Sequence, residues 1–388
     1  MAGEEATVHG FVAPGFEAVA DAMRRNFAKN HEVGAACCVH LRGEKVVDIW
    51  AGTKDPQTGS PWEEDTLAIV FSSTKGVTAI VQNLLLQRGQ LDLAAPIARY
   101  WPEFAAAGKR DIPVEQILAH RAGIPIVDSE PTLEQVLAWD PIIEAIARQR
   151  PAWEPGEKHG YHVRTFGWVN GEIVRRISGR SFGRFLADEI TGPLDANFFV
   201  GLPEEKEACV ARLIPPPEPE DPRTRAAIEK FMGPATVLGR ALRGPSDLFH
   251  YDDMWNTRAL HAAEMPSSNG ITSARGLSRI YASCVGEIGG ARTLSDESVR
   301  RAIRVRSRGP DAVLQVPSVF GLGFARGEFL NPEAGQDAFG HPGAGGSLGF
   351  ADPANGLAFA YVMNRMQTGV TGDPRASRLV RATYRCLS

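Results

Sequence analysis

Between residues 14 and 29 the apolar side chains Phe16, Val19, Ala20, Met23 and Phe27 fall on one face of a 3.6-residue repeat. Pro14 stands just ahead of them, so the spacing predicts an amphipathic helix. Residues 34 to 52, GAACCVHLRGEKVVDIWAG, change period: two strand-like runs meet at Arg42-Gly43, which predicts a hairpin. A short apolar run at 67 to 71 then leads into Ser72-Ser73-Thr74-Lys75. From Ser72 the apolar positions Val77, Ile80, Val81, Leu84 and Leu85 return to helical register and run to Gly89, a C-terminal stop.

From about 90 to 230 the texture is helical and loop-rich, punctuated by Pro96, Pro102, Pro113, Pro125 and Pro131. The Pro/Glu-rich stretch IPPPEPEDPRTR, 214 to 225, reads as a surface loop or the close of this region. Beyond it a helix is expected near 273 to 286. Strand-like runs follow at 319 to 327 and 356 to 365, with a last helix from about 375. Strands toward both ends and helices between them predict an α/β (α+β) fold. On this reading 1–90 and 231–388 form a mixed α/β domain, 91–230 a mostly helical insert, and a cleft lies between them. No internal repeat is present.

Composition narrows the function classes. Of 388 residues, 43% are hydrophobic and 23% charged, ordinary values for a chain with a sizeable core. A net charge of -4 offers no basic field, so neither nucleic acid nor an anionic membrane surface is an expected partner. No apolar run approaches the roughly 20 residues that span a bilayer. The acidic start MAGEEATVHG does not read as a secretory signal. Five cysteines (Cys37, Cys38, Cys209, Cys284, Cys386), odd in number and without C-x-x-C, predict buried, reduced thiols and a cytoplasmic protein. The histidines show no H-x-x-x-H or H-E-x-x-H pair, so neither a metal nor another cofactor is expected.

Three serines compete as nucleophile. Two lie in G-x-S-x-G, Ser181 in GRSFG and Ser347 in GGSLG, a motif that needs a strand running in and a helix running out. A helical pattern precedes Ser181, and a turn leading to a strand follows Ser347. The third is Ser72 of the single S-x-x-K. On a helix, positions i and i+3 share a face, so Lys75 can reach the Ser72 oxygen. The N-terminal dipole disfavours a charged lysine and so favours a neutral, proton-accepting amine. S-x-x-K is by itself a weak signal, with Ser72 as a helix cap beside a solvated lysine as the alternative, and its place at a strand-to-helix junction with apolar flanks raises it. The loop WEPGEKHGYHVRTFGW supplies Tyr161, which is either a core residue or a proton shuttle aimed at a cleft.

Several stretches in order carry a family likeness: VFSSTKG, RGQLDLAAPIARYWPEF, ILAHRAGIP, WEPGEKHGYH, EMPSSNGITSARGLSRIYA and FGHPGAGGSLGFADP. Across nearly the whole chain the sequence resembles the serine β-lactamase-like superfamily with its class C β-lactamase and penicillin-binding-protein fold, and within it the family VIII carboxylesterases. The resemblance implies an antiparallel sheet flanked by N- and C-terminal helices, Ser72 as nucleophile, Lys75 as its partner and Tyr161 as a catalytic tyrosine. It also implies an oxyanion hole from the backbone N–H groups of Ser72 and Ala344, with His341 and Gly343 beside the substrate. Two departures bear on activity. The family's Y-x-N is Tyr161-His162-Val163 here, and its K-T-G is His341-Pro342-Gly343. The groups that hold a β-lactam's carboxylate and amide are therefore absent, which favours an ester as the small-molecule substrate.

The expected chemistry is ester hydrolysis through an acyl-enzyme at Ser72 with a Lys75/Tyr161 proton-transfer pair. An acyltransferase, a β-lactamase or D-amino-acid peptidase, and a catalytically silent binding module on the same scaffold are the competing readings. His120 is expected to be structural. Asn269 and Arg275 are read as either cleft-lining or capping.

Overall fold

The computed structural model describes residues 6–369 and 372–387. The early strands are β1 (Val8–Val12), β2 (Gly34–Leu41), β3 (Glu44–Asp55), β4 (Ser60–Pro61), β5 (Ala68–Ile69) and β6 (Phe198–Phe199). The later ones are β7 (Ile271–Thr272), β8 (Ser307–Pro310), β9 (Pro317–Phe320), β10 (Ala325–Arg326), β11 (Phe339–Pro342), β12 (Leu348–Asp352) and β13 (Leu357–Met363). The large antiparallel sheet runs β1-β3-β2-β13-β12-β11-β10-β9-β8, with β4 on β3. A small sheet, β5-β7-β6, sits apart from it.

The hairpin at Arg42-Gly43 is present, and both residues take positive φ (50° and 87°), the conformation a two-residue turn needs to match strand twist. Strand alternation sends adjacent Cys37 and Cys38 to opposite faces of the sheet. On one face Val19 and Met23 of the helix Glu17–Lys29, with Leu379 and Val380 of the helix Pro374–Arg385, pack over Phe350 and Phe359. On the other, the helices Ser73–Gln87 and Ala274–Val285 bury Val77, Ile80, Leu277 and Ile280 over Ala358 and Ala360. Covered on both faces, β12 and β13 are buried at every position, and each large aliphatic side chain removed from water contributes about 1.5–3 kcal/mol.

Three expectations are adjusted. The run 319 to 327 is not one strand: Gly323 turns at φ 83°, a Cβ on Gly321 would collide with the Ala302 carbonyl, and β9 and β10 lie either side of the bend. The stretch 214 to 225 passes into a helix, Pro222–Met232, capped by the Asp221 carboxylate, and helical structure continues to Ala262. All five thiols are unpaired, but Cys209 and Cys386 are only partly buried. No helix among the described residues is long and apolar enough to cross a membrane.

Candidate active site

The strand β5 and the helix Ser73–Gln87 meet at Phe71, whose φ of 43° is uncommon for a bulky residue and turns the chain sharply. Ser72 follows in helical conformation, and its hydroxyl makes no capping hydrogen bond. Instead Lys75 Nζ lies 3.2 Å from Ser72 Oγ and 2.9 Å from the Ser267 carbonyl oxygen. Lys75 is fully buried, not a solvated lysine. The segment carrying Ser267 is fastened to the same helix on both sides: the Thr74 hydroxyl accepts from Gly270 N–H at 2.9 Å, and the Thr78 hydroxyl donates to the Pro266 carbonyl.

Burial holds the Lys75 amine well below the ordinary lysine range, and the positive charge of Arg164 adds to that push. Arg164 is itself buried, with Nε and Nη2 on the Leu242 carbonyl (3.0 and 2.5 Å) and its guanidinium 4.1 Å over the Phe249 ring. Among the described residues no carboxylate stands at ion-pair distance from it. Burial lowers its pKa to about 10. Its carbonyl accepts from the Ser267 hydroxyl at 2.9 Å, so Arg164 and Lys75 meet through one residue.

Tyr161 arrives on the loop before the helix Thr165–Ser178. Its N–H donates to Asp311 Oδ1 at 2.9 Å, and the flanking Gly160 N–H and His162 N–H donate to the His120 carbonyl and Nδ1. The ring lies beneath the Lys75 ammonium position, 4.9 Å from Nζ to centroid, and stacks between Phe320 (5.9 Å) and His341 (5.7 Å). Burial raises the phenol well above its usual range, more than a hydrogen bond from the Ser72 hydroxyl lowers it, so the group is a neutral proton donor. His341 Nδ1 is 2.7 Å from the Pro342 carbonyl, which only accepts, so Nδ1 carries the proton and Nε2 presents a lone pair. Nε2 lies 3.4 Å from the Tyr161 hydroxyl. Burial, followed by the Lys75 charge, lowers His341 to about 3, and the ring is neutral.

Behind Lys75, a Cβ on Gly76 would strike the Tyr281 hydroxyl and touch the His341 side chain, so glycine lets β11 approach the helix Ser73–Gln87. Gly343 and Ala344 follow in a turn whose Gly343 N–H donates to the Ser347 carbonyl at 2.7 Å. Among the described residues no backbone carbonyl outside their own helical turns accepts from Ser72 N–H or Ala344 N–H.

The hydroxyls of the two G-x-S-x-G serines are committed to other hydrogen bonds. Ser181 is an exposed helix cap: it accepts from Arg184 N–H and donates to Glu264 at 2.6 Å. Ser347 is buried, with its hydroxyl on the Val70 carbonyl. His120 is a packing residue, with its ring 4.3 Å from Phe320 and 5.0 Å from Phe166. Asn269 braces its own loop through Leu260, Ala263 and Met265, and Arg275 pairs with Asp48 and Glu64. Among the described residues no group of three or more His, Cys, Asp or Glu is placed to hold a metal.

Sequence reasoning missed Ser267, which lies in a stretch that carries the family likeness, and Arg164, which lies two residues beyond one. A backbone carbonyl leaves no mark in a sequence. The isolation of Arg164 from carboxylates exists only in three dimensions.

A beta-lactamase family model matches residues 19–383. The esterase/beta-lactamase LipL of Mycobacterium tuberculosis is 35% identical over 375 residues, 92% of this chain and 83% of that one. The crystal structure of a family VIII carboxylesterase superposes with a TM-score of 0.88 at 36% identity, covering 98% of this chain and 100% of the other. A penicillin-binding protein homologue from Caulobacter crescentus superposes with a TM-score of 0.86 at 34% identity, again covering 98% and 100%. With the family model spanning nearly all of it and relatives above 30% identity along most of its length, the chain belongs to the beta-lactamase family.

Proposed function

We propose that the protein is a serine carboxylesterase that works through an acyl-enzyme on Ser72. One observation carries the reading: a fully buried amine, Lys75 Nζ, 3.2 Å from a hydroxyl that caps nothing. A neutral lysine has two N–H bonds and one lone pair. With one N–H given to the Ser267 carbonyl, the lone pair is free to accept the Ser72 proton.

In the proposed sequence Ser72 Oγ attacks the ester carbonyl carbon while its proton passes to Lys75. The oxyanion takes hydrogen bonds from Ser72 N–H and Ala344 N–H. On collapse, the Tyr161 hydroxyl gives its proton to the leaving alkoxide and recovers one from the Lys75 ammonium. Water then retraces the steps to release the acid. His341 holds the Tyr161 hydroxyl, and the 341–344 segment, bare at Gly343, walls the cleft against a small-molecule ester. The cleft divides the mixed α/β part (1–90 and 231–388) from the helical insert (91–230). Unpaired cysteines support a cytoplasmic setting.

The likeness to LipL and to a family VIII carboxylesterase supports ester hydrolysis, while the likeness to a penicillin-binding protein homologue keeps β-lactam or D-amino-acid substrates as the second reading. Initial rates on p-nitrophenyl esters and on nitrocefin, for the native protein and Ser72→Ala, decide between them. The expected result is rapid ester turnover, slow nitrocefin turnover, and a loss of at least about 10³-fold in Ser72→Ala. Faster nitrocefin turnover, or ester turnover that survives Ser72→Ala, contradicts the reading.

A further inference from the structure

The second G-x-S-x-G serine takes no part in the proposed chemistry, yet it joins the two halves of the oxyanion site. Ser347 is 1% exposed; its Oγ donates to the Val70 carbonyl at 2.8 Å and lies 3.2 Å from Ser73 Oγ. Val70 and Ser73 stand on either side of Ser72, so this one hydroxyl bridges the turn that carries the nucleophile. The carbonyl of Ser347 meanwhile accepts from Gly343 N–H at 2.7 Å and closes the turn that carries Ala344.

The turn needs such a fastening. Gly345 and Gly346 take φ of 82° and 131°, and glycine backbones restrict their own conformation least. Gly343 has to be bare, because a Cβ there would run into Ser347 Oγ, the Val70 carbonyl and Ser73 Oγ together. On the far side Arg375 Nη2 donates to the Gly345 carbonyl at 2.6 Å, so the turn is held from two directions.

We propose that Ser347 is a positioning residue for acyl transfer. Its carbonyl closes the 343–347 turn, and its hydroxyl fastens that turn to the Val70–Ser73 turn, and together they fix the spacing of the Ser72 and Ala344 N–H groups that receive the oxyanion. The inference rests on the assignment of those two amides under the proposed function. An oxyanion donor acts by standing in place before charge develops. Losing one costs about 10²–10³ in kcat, and loosening one forfeits part of that.

The test compares Ser347→Ala and Ser347→Cys with the native protein. It uses steady-state kinetics on p-nitrophenyl acetate, inhibition by phenylboronic acid, thermal melting, and mass-spectrometric mapping of a fluorophosphonate label. For Ser347→Ala, kcat is expected to fall about tenfold or more with KM within about twofold, and boronate affinity to weaken by the same factor as kcat. Ser72 should remain the labelled residue, and Ser347→Cys, a weaker donor of similar size, should fall between. A folded variant whose kcat and boronate affinity stay within about twofold of native overturns the proposal. So does a uniform loss of active protein with native kcat per labelled site, the signature of a merely structural residue. If Ser347→Ala does not fold, Ser347→Cys is judged on the same two ratios. A native label mapped to Ser347 itself would instead overturn the Ser72 assignment.

Discussion

Lys75 Nζ stands 3.2 Å from Ser72 Oγ and 2.9 Å from the Ser267 carbonyl, so the amine meets the hydroxyl with one N–H already committed. The second N–H and the lone pair are left to face Ser72. Under the proposed function, the protonation state of this one buried lysine governs activity at low pH.

The first prediction follows from the charge beside that lysine. Burial and Arg164 both lower the Lys75 pKa, and the free amine is the active form, so kcat/KM should rise with pH through a limb well below the ordinary lysine range. Arg164→Met removes the like charge, makes the protonated lysine less costly, and should move that limb up. Arg164→Lys keeps the charge and should leave it near the native position. A pH profile with p-nitrophenyl acetate checks this, and coincident limbs for both variants would contradict it.

Removing only the hydroxyl of Tyr161 should separate chemistry from packing. Tyr161→Phe keeps the stack on Phe320 and His341 and loses the proton donor. A fall in kcat of about 10²–10⁴ is expected. The thermal midpoint should change by a few degrees at most, because the hydrogen bonds of a neutral buried hydroxyl, here to Ser72 and at 3.4 Å to His341, contribute about 1 kcal/mol net. Calorimetry beside steady-state kinetics reads both.

Ser181 supplies the opposite case. Ser181→Ala removes a helix cap and leaves Glu264 without its hydroxyl partner, a cost of about 1 kcal/mol, with esterase activity per folded molecule unchanged. Urea unfolding and initial rates measure the two effects separately.

Arg375 is fully buried and paired with Glu32 and Asp373 at 2.8 Å each, besides holding the Gly345 carbonyl. Arg375→Met removes the counter-charge of the buried Glu32 and of the partly buried Asp373, and a loss of about 3–5 kcal/mol is expected in urea unfolding. A loss under about 1 kcal/mol would mean that the network is dispensable.

Local pattern carried much of the fold. The amphipathic helix at 17–29, the hairpin at Arg42-Gly43 and the helix entering at Ser72 all follow from periodicity and turn chemistry over a few residues. The strand order was not legible locally, because β2 pairs with β13 across more than three hundred residues of chain. The site divides the same way. Ser72 and Lys75 are one helical turn apart and readable as a pair, whereas Tyr161, His341 and Ala344 join them only through long-range packing that the family likeness implied. At Ser72 the family likeness already favoured nucleophile over helix cap, and the coordinates add that the hydroxyl makes no capping hydrogen bond and lies 3.2 Å from Lys75 Nζ. Arg164 escaped for a related reason: an arginine in a polar loop looks solvated until the Leu242–Trp255 segment folds over it.

The central claim is that Ser72 is the acylated residue, and mapping a covalent adduct tests it most directly. Brief reaction of the native protein with a fluorophosphonate or a slow-deacylating ester, followed by peptide mass spectrometry, should place one stoichiometric adduct on Ser72, absent from Ser72→Ala. An adduct on Ser347 or Ser181, or undiminished labelling of Ser72→Ala, would contradict the account.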